Sequence, residues 1–155
     1  MDLSVPVVLE SLAKAGAAVK ALNTWLKKAN GNSRALIGEL KDNLIYLDLV
    51  AQDEVELSEV IEKISVAEYK RLSKEGFDFN ALKRTKVKQY PSLASTDLAS
   101  WPGKETQDLV ESIYEKINDL KIRYPHVKNN SKYRWPTRVQ NIRKRVWLLL
   151  KHVNS

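Results

Sequence analysis

Four side chains near the end of the chain have types and spacings that could do chemistry together. At 100° per residue, Arg138, Asn141, Arg145 and His152 fall within about 60° of one another, along one border of an apolar helical face. Arg145 and His152 are seven residues apart, so they share a face two turns apart. An arginine holds a phosphate or stabilises developing negative charge, and a histidine exchanges a proton near neutral pH. That pairing suits phosphodiester cleavage without a metal. Overlapping it is a basic stretch, Lys121 to Arg145, interleaved with Tyr124, His126, Tyr133 and Trp135. Lysine and arginine neutralise phosphates while aromatic rings stack on unpaired bases, the combination that single-stranded nucleic-acid binding requires.

The Arg145 to His152 spacing resembles the R-x(4-6)-H motif of the HEPN superfamily, small α-helical bundles that often dimerise and in many members are metal-independent ribonucleases. The resemblance covers one helix and carries over two residues, Arg145 and His152. Val146 stands where the residue after the family's arginine is commonly polar. What the resemblance implies is a ribonuclease that cleaves RNA with this pair, set across a dimer axis.

Other catalytic constellations are missing. Five scattered glycines form no phosphate-cradling loop, there is no G-x-S-x-G, and neither histidine stands in H-E-x-x-H or E-x-x-H spacing. Cysteine is absent, which excludes disulfides, thiolate nucleophiles and cysteine-ligated metals, and makes the cytoplasm the natural compartment. Glu59 and Glu62 lie one turn apart on an acidic stretch with no partner ligands. No cofactor or metal is expected.

The net charge of +7 hides a polarity. Residues 1–80 hold 10 basic and 13 acidic side chains, whereas residues 81–155 hold 16 and 6. After Asp119 there are ten Lys or Arg and no carboxylate. This points to nucleic acid or an acidic protein partner. The plainer account is that the basic end packs near the acidic half of the same or a neighbouring chain. Lys128, Lys132, Arg134, Arg138, Arg143, Lys144 and Arg145 are the expected phosphate or carboxylate contacts, because they concentrate charge with no local compensation.

The elements that must position these residues are helices throughout. A first helix is predicted from Ser4 to Asn30, with Pro6 in its first turn and a left-handed stop at Asn30-Gly31. Its seam is Val8, Leu12, Ala15, Val19, Leu22 and Leu26, with small residues from Ala13 to Ala21 that admit a close neighbour. Ser33 caps a second helix to Gln52, carrying Leu36, Leu40, Leu44, Leu47 and Val50 inward. A third stretch, Leu57 to Glu75, is interrupted near Ser65, where Ser65-Val66-Ala67-Glu68 reads as a capping box, and Gly76 ends it. Residues 77–103 have apolar side chains without period and read as an ordered crossover packed over the bundle. A fourth helix from Lys104 to Tyr124 stops at Pro125. A basic loop follows from His126 to Lys132, and a last helix starts at Trp135-Pro136 with Val139, Ile142, Val146, Leu149 and Val153 as its seam. Trp147 and Leu148 lie off that seam and require either the crossover or a protein interface to cover them.

Residues 1–155 are thus expected to form a single all-α domain, an antiparallel bundle of four to five helices with a long irregular crossover. No run of about 18 apolar residues is free of charge, so no membrane span is predicted. The expected function is a non-enzymatic interaction module whose basic C-terminal surface contacts nucleic acid or an acidic protein, with homo-oligomerisation compatible. The HEPN-like ribonuclease is one alternative. A membrane-surface effector is the other, in which Lys14, Lys20, Lys27 and Lys28 lay the first helix on anionic lipid.

Overall fold

The structure is a computed structural model that describes residues 12–14 and 16–155. Among these residues there are six α-helices and no strand: α1 Ala17–Lys28, α2 Gly31–Gln52, α3 Leu57–Val60, α4 Ala67–Lys74, α5 Thr106–Val127 and α6 Trp135–Val153. The expected cap at Ser4, Pro6 in the first turn and the seam positions Val8 and Ala15 lie outside the described residues. The rest of the first seam is in place: Leu12 and Leu22 are buried, and Val19 and Leu26 pack against the core. Contrary to the predicted unbroken helix, α1 begins only after Gly16, which takes φ +78°. A residue without a Cβ adopts that left-handed conformation at little cost, so a glycine read as a packing residue acts instead as a break.

The central element is α6. It packs against α1, α2 and α5, and ten of its nineteen residues are buried, including Val146, Trp147, Leu148, Leu149 and Leu150 in an unbroken run. A stretch of helix covered by neighbours on several sides reads as a continuous hydrophobic run rather than a stripe. This accounts for Trp147 and Leu148. The crossover covers the second half of α6: Asp97 pairs with Arg145, Lys151 lies over the Tyr90 ring, and Lys83 donates to the Ser155 carbonyl. Val87, Leu93, Leu98 and Trp101 bury their side chains beneath it. Its backbone is ordered by two short 3-10 turns and by paired hydrogen bonds, Val87 N–H to Lys104 C=O and Gly103 N–H to Val87 C=O.

The interruption near Ser65 is present, and the Ser65 hydroxyl accepts from the Ala67 amide at 3.1 Å, but the carboxylate that completes the cap comes from α2 and not from Glu68. Asn43 of α2 both donates to the Ser65 carbonyl at 2.7 Å and accepts from the Ser65 amide at 2.8 Å. Glu39, also on α2 and buried, accepts from the Ser65 hydroxyl and from the Glu68 and Tyr69 amides. A carboxylate at the amino end of α4 satisfies two donors that the helix cannot satisfy itself and suits the positive end of its dipole. At the start of α5 the cap is local: Glu105 and Asp108 form a reciprocal capping box. At its other end the helix runs past the predicted stop, to Val127, with Pro125 inside the last turn. The ring removes one backbone donor close to where the ladder ends anyway, and the Trp135 indole N–H, donating to the Lys128 carbonyl, holds that turn against α6.

Candidate functional site

The charged residues near the end of the chain divide into two sets that the sequence could not separate. Arg143 and Arg145 are internal, 5% and 8% exposed. The Arg143 guanidinium donates to Asp48 of α2 at 2.8 Å and to Gln140 at 2.6 Å, and lies over the Trp147 ring. Arg145 donates to Asp97 at 3.2 Å, to the Ser112 hydroxyl and to the Asn141 carbonyl, and Lys144 approaches the same Asp97 at 3.7 Å. Lys121 donates to the carbonyls of Ile61 and Ile64, at the end of α3. The compensation that local sequence lacks is supplied across the fold, so Arg143 and Arg145 are corrected from surface contacts to internal ties, and Lys144 is half-committed.

Arg145 and His152 are not brought to a common site. His152 has no exposed surface. Its Nε2 is 2.7 Å from the Thr106 hydroxyl, and that hydroxyl donates its one proton to the Lys83 carbonyl at 2.6 Å. The ring must therefore be the Nε2–H tautomer, donating to Thr106, with Nδ1 buried and without a partner. Burial lowers its pKa from 6.5 to about 4, and Lys83 and Lys88 push the same way. The imidazole is neutral and sealed, and it shares no partner with Arg145.

What remains at the surface is a compact basic and aromatic turn joining α5 to α6. Lys128, Lys132 and Arg134 are exposed, and none has an ion-pair partner among the described residues. Between them Tyr133 and Trp135 stack at 5.3 Å with their planes 9° apart, both half-buried. The Arg138 guanidinium lies over both rings, at 5.3 Å and 5.7 Å, and is held by the Tyr133 carbonyl and by Asp119. Tyr124 meets the Trp135 edge from α5 and anchors the stack to the core.

Comparison with known proteins finds no family model, no curated protein and no solved structure that matches this chain. Arg134 carries the left-handed backbone, φ +47°, that closes the turn before Trp135-Pro136. Such a conformation in a residue with a long side chain costs of order 1 kcal/mol and marks a position worth explaining by use. Beside the turn, between α5 and the start of α6, lies an open cleft of about 790 Å³ lined in part by Lys116, Asp119, Lys132, Arg134 and Arg138.

A second basic strip escaped the sequence argument. Lys86 and Lys88 are exposed on either side of the buried Val87, which the paired hydrogen bonds to residues 103 and 104 hold in place. The signal was there, in the alternation Lys86-Val87-Lys88, but it sits in a stretch without helical period. Among the described residues no group of three or more His, Asp or Glu is placed to hold a metal ion, and no helix is long and apolar enough to cross a membrane. The apolar side of α1, offered as a lipid-facing surface, is turned inward at Ala18, Ala21 and Leu22.

Proposed function

We propose that this chain is a non-enzymatic module that binds single-stranded nucleic acid through the turn between α5 and α6. The observation that carries the reading is the Tyr133–Trp135 stack set among Lys128, Lys132 and Arg134, none of them in an ion pair among the described residues, with the Lys132 ammonium 5.3 Å over the Tyr133 ring. Free lysine and arginine take phosphates without first breaking an internal pair. A ring fixed by its neighbours loses little entropy when a base stacks on it, an interaction worth about 1–3 kcal/mol. Arg138, locked over both rings, keeps the stack in register and adds positive potential beneath it. An acidic protein segment is the second ligand that such a turn would attract, but it has less use for an aromatic stack.

The ribonuclease alternative asks His152 to reach a ribose hydroxyl and exchange a proton near neutral pH. A fully buried ring with its pKa near 4 and its Nε2–H already engaged gives that reading no support. The deciding experiment incubates the protein with labelled single-stranded RNA and DNA across a salt series in EDTA, scoring retention and cleavage together. Salt-sensitive retention without cleavage is expected. Combined Lys128→Glu, Lys132→Glu and Arg134→Glu should abolish retention, and retention that survives all three means the wrong surface has been chosen. Cleavage lost in His152→Ala would replace this reading with the enzymatic one.

A further inference from the structure

The cleft beside the basic turn has properties that the turn alone does not need. Its lining sets Lys116, Lys132, Arg134 and Arg138 against the carboxylates of Glu115 and Asp119, a formal surplus of two positive charges. One of the two carboxylates is already spoken for, since Asp119 accepts from both Arg123 and Arg138. Lys116 is half-buried and has no hydrogen-bond or ion-pair partner among the described residues. Burial lowers its pKa, and the nearby Arg145 and Arg138 push it further down, against the opposing pull of Asp97 and Asp119. An ammonium group so placed, partly stripped of water and with no partner for its donors, has them to offer an incoming anion.

The volume, about 790 Å³, lies within the range of pockets that take small ligands, so more than a bare ion is accommodated. Thr137 and Asn141 add neutral donors and acceptors on the α6 wall. Thr137 belongs to the first turn of α6, whose amino end has no side-chain cap. Glu115 is exposed at the rim and unpaired among the described residues. A carboxylate there disfavours a polyanion lying straight across the cleft, yet it offers an acceptor for a sugar hydroxyl or a base N–H.

The charge decides the class of ligand. A bridging phosphate inside a strand is a diester with one negative charge. A phosphomonoester carries about −1.5 to −2 at pH 7 and has three free acceptor oxygens. The surplus of two charges around one half-buried, unpartnered lysine matches the monoester.

We propose that this cleft is a phosphomonoester site that takes the terminal phosphate of a nucleotide or of a nucleic-acid strand, with Lys116 as its central contact. The proposal rests on the nucleic-acid reading only for the strand, because a free mononucleotide would use the same groups. The bound phosphate sits between α5 and α6, and the strand runs from it over the Tyr133–Trp135 stack, so the turn reads the body of the ligand and the cleft reads its end.

The test measures binding of one single-stranded oligonucleotide in three forms, 5′-phosphorylated, 3′-phosphorylated and unphosphorylated, by fluorescence anisotropy. A parallel titration with adenosine 5′-monophosphate is followed by amide chemical shifts. A terminal phosphate should tighten binding about tenfold, the range of one charge-assisted hydrogen bond. Enhancement at one end only fixes the strand's direction, and equal enhancement at both still upholds a monoester site. Lys116→Met should bring the phosphorylated and unphosphorylated affinities together. Equal affinities in the unaltered protein overturn the proposal while leaving the turn intact. Should no oligonucleotide bind in any form, the turn has failed and the mononucleotide decides the cleft: shifts at Lys116, Thr137 and Asn141 sustain it, and their absence ends it.

Discussion

The Nε–H of Arg143 donates to Asp48 Oδ1 at 2.8 Å, tying α6 to α2 across 95 residues of sequence. Both side chains are largely out of water, 6% and 15% exposed. Burial raises the Asp48 carboxyl above its usual range, and Arg143 opposes the shift. Removing one member of such a pair strands the other's charge, at about 3–5 kcal/mol, whereas replacing both with apolar side chains costs far less. Asp48→Ala should therefore lower the urea midpoint sharply. Asp48→Leu combined with Arg143→Met should recover most of the loss. Equal losses in the single and double variants would mean that packing, not charge, sets the cost.

His152 makes stability depend on pH with a defined sign. Its folded pKa, about 4, lies below the ordinary 6.5, so the unfolded chain binds the extra proton first. Stability from this group is full above pH 6.5, falls as the pH drops through the interval, and is exhausted below about 4, a loss of order 3 kcal/mol. Denaturation profiles between pH 4 and 7 should show this slope, and His152→Gln should flatten it. A slope unchanged in that variant assigns the effect to other groups.

Glu39 should behave as a helix cap in trans. Glu39→Ala leaves the Glu68 and Tyr69 amides without their acceptor, at about 1–2 kcal/mol, and the change should be local. Amide exchange ought to quicken at the start of α4 before it quickens in α5. Uniform quickening would indicate global destabilisation instead.

Arg134→Gly separates stability from use. Glycine takes a positive φ without strain, so the variant should be more stable by about 0.5–1 kcal/mol while binding nucleic acid more weakly. With single-stranded ligand the salt dependence should become shallower by about 0.7 for each phosphate that is no longer neutralised. A variant that gains stability and binds as before would remove Arg134 from the interface.

The helical seams were legible because burial along one face leaves its period in the sequence. Val110, Ile113, Ile117 and Leu120, spaced three and four apart, are all buried. The same signal could not show that α1 begins only after Gly16, since a small residue fits a close-packed helix and a left-handed turn equally well. It could not show that Pro125 lies within α5, because the cost of a proline depends on how near the end it stands and on what Trp135 does from the next helix. Most instructive is the basic end. Local charge counting treats Arg134 and Arg143 alike, and the difference between them is Asp48, far away in sequence and adjacent in space. Similarly, Ser65 and Glu68 signalled a helix start, yet the carboxylate that caps it is Glu39, thirty positions from Tyr69.

The helix at the centre of the bundle is synthesised after the helices it packs against. A ribosome delivers α1, α2 and α5 before it delivers the element they pack against, and until then the faces they turn toward it border a gap about one helix wide, roughly 10 Å. α6 packs both on α5, its neighbour in sequence, and on α1 and α2 far back in the chain, so part of its packing must wait for long loops to close. A nascent chain halted before Val139 has apolar faces with only each other, a chaperone or a second chain to cover them.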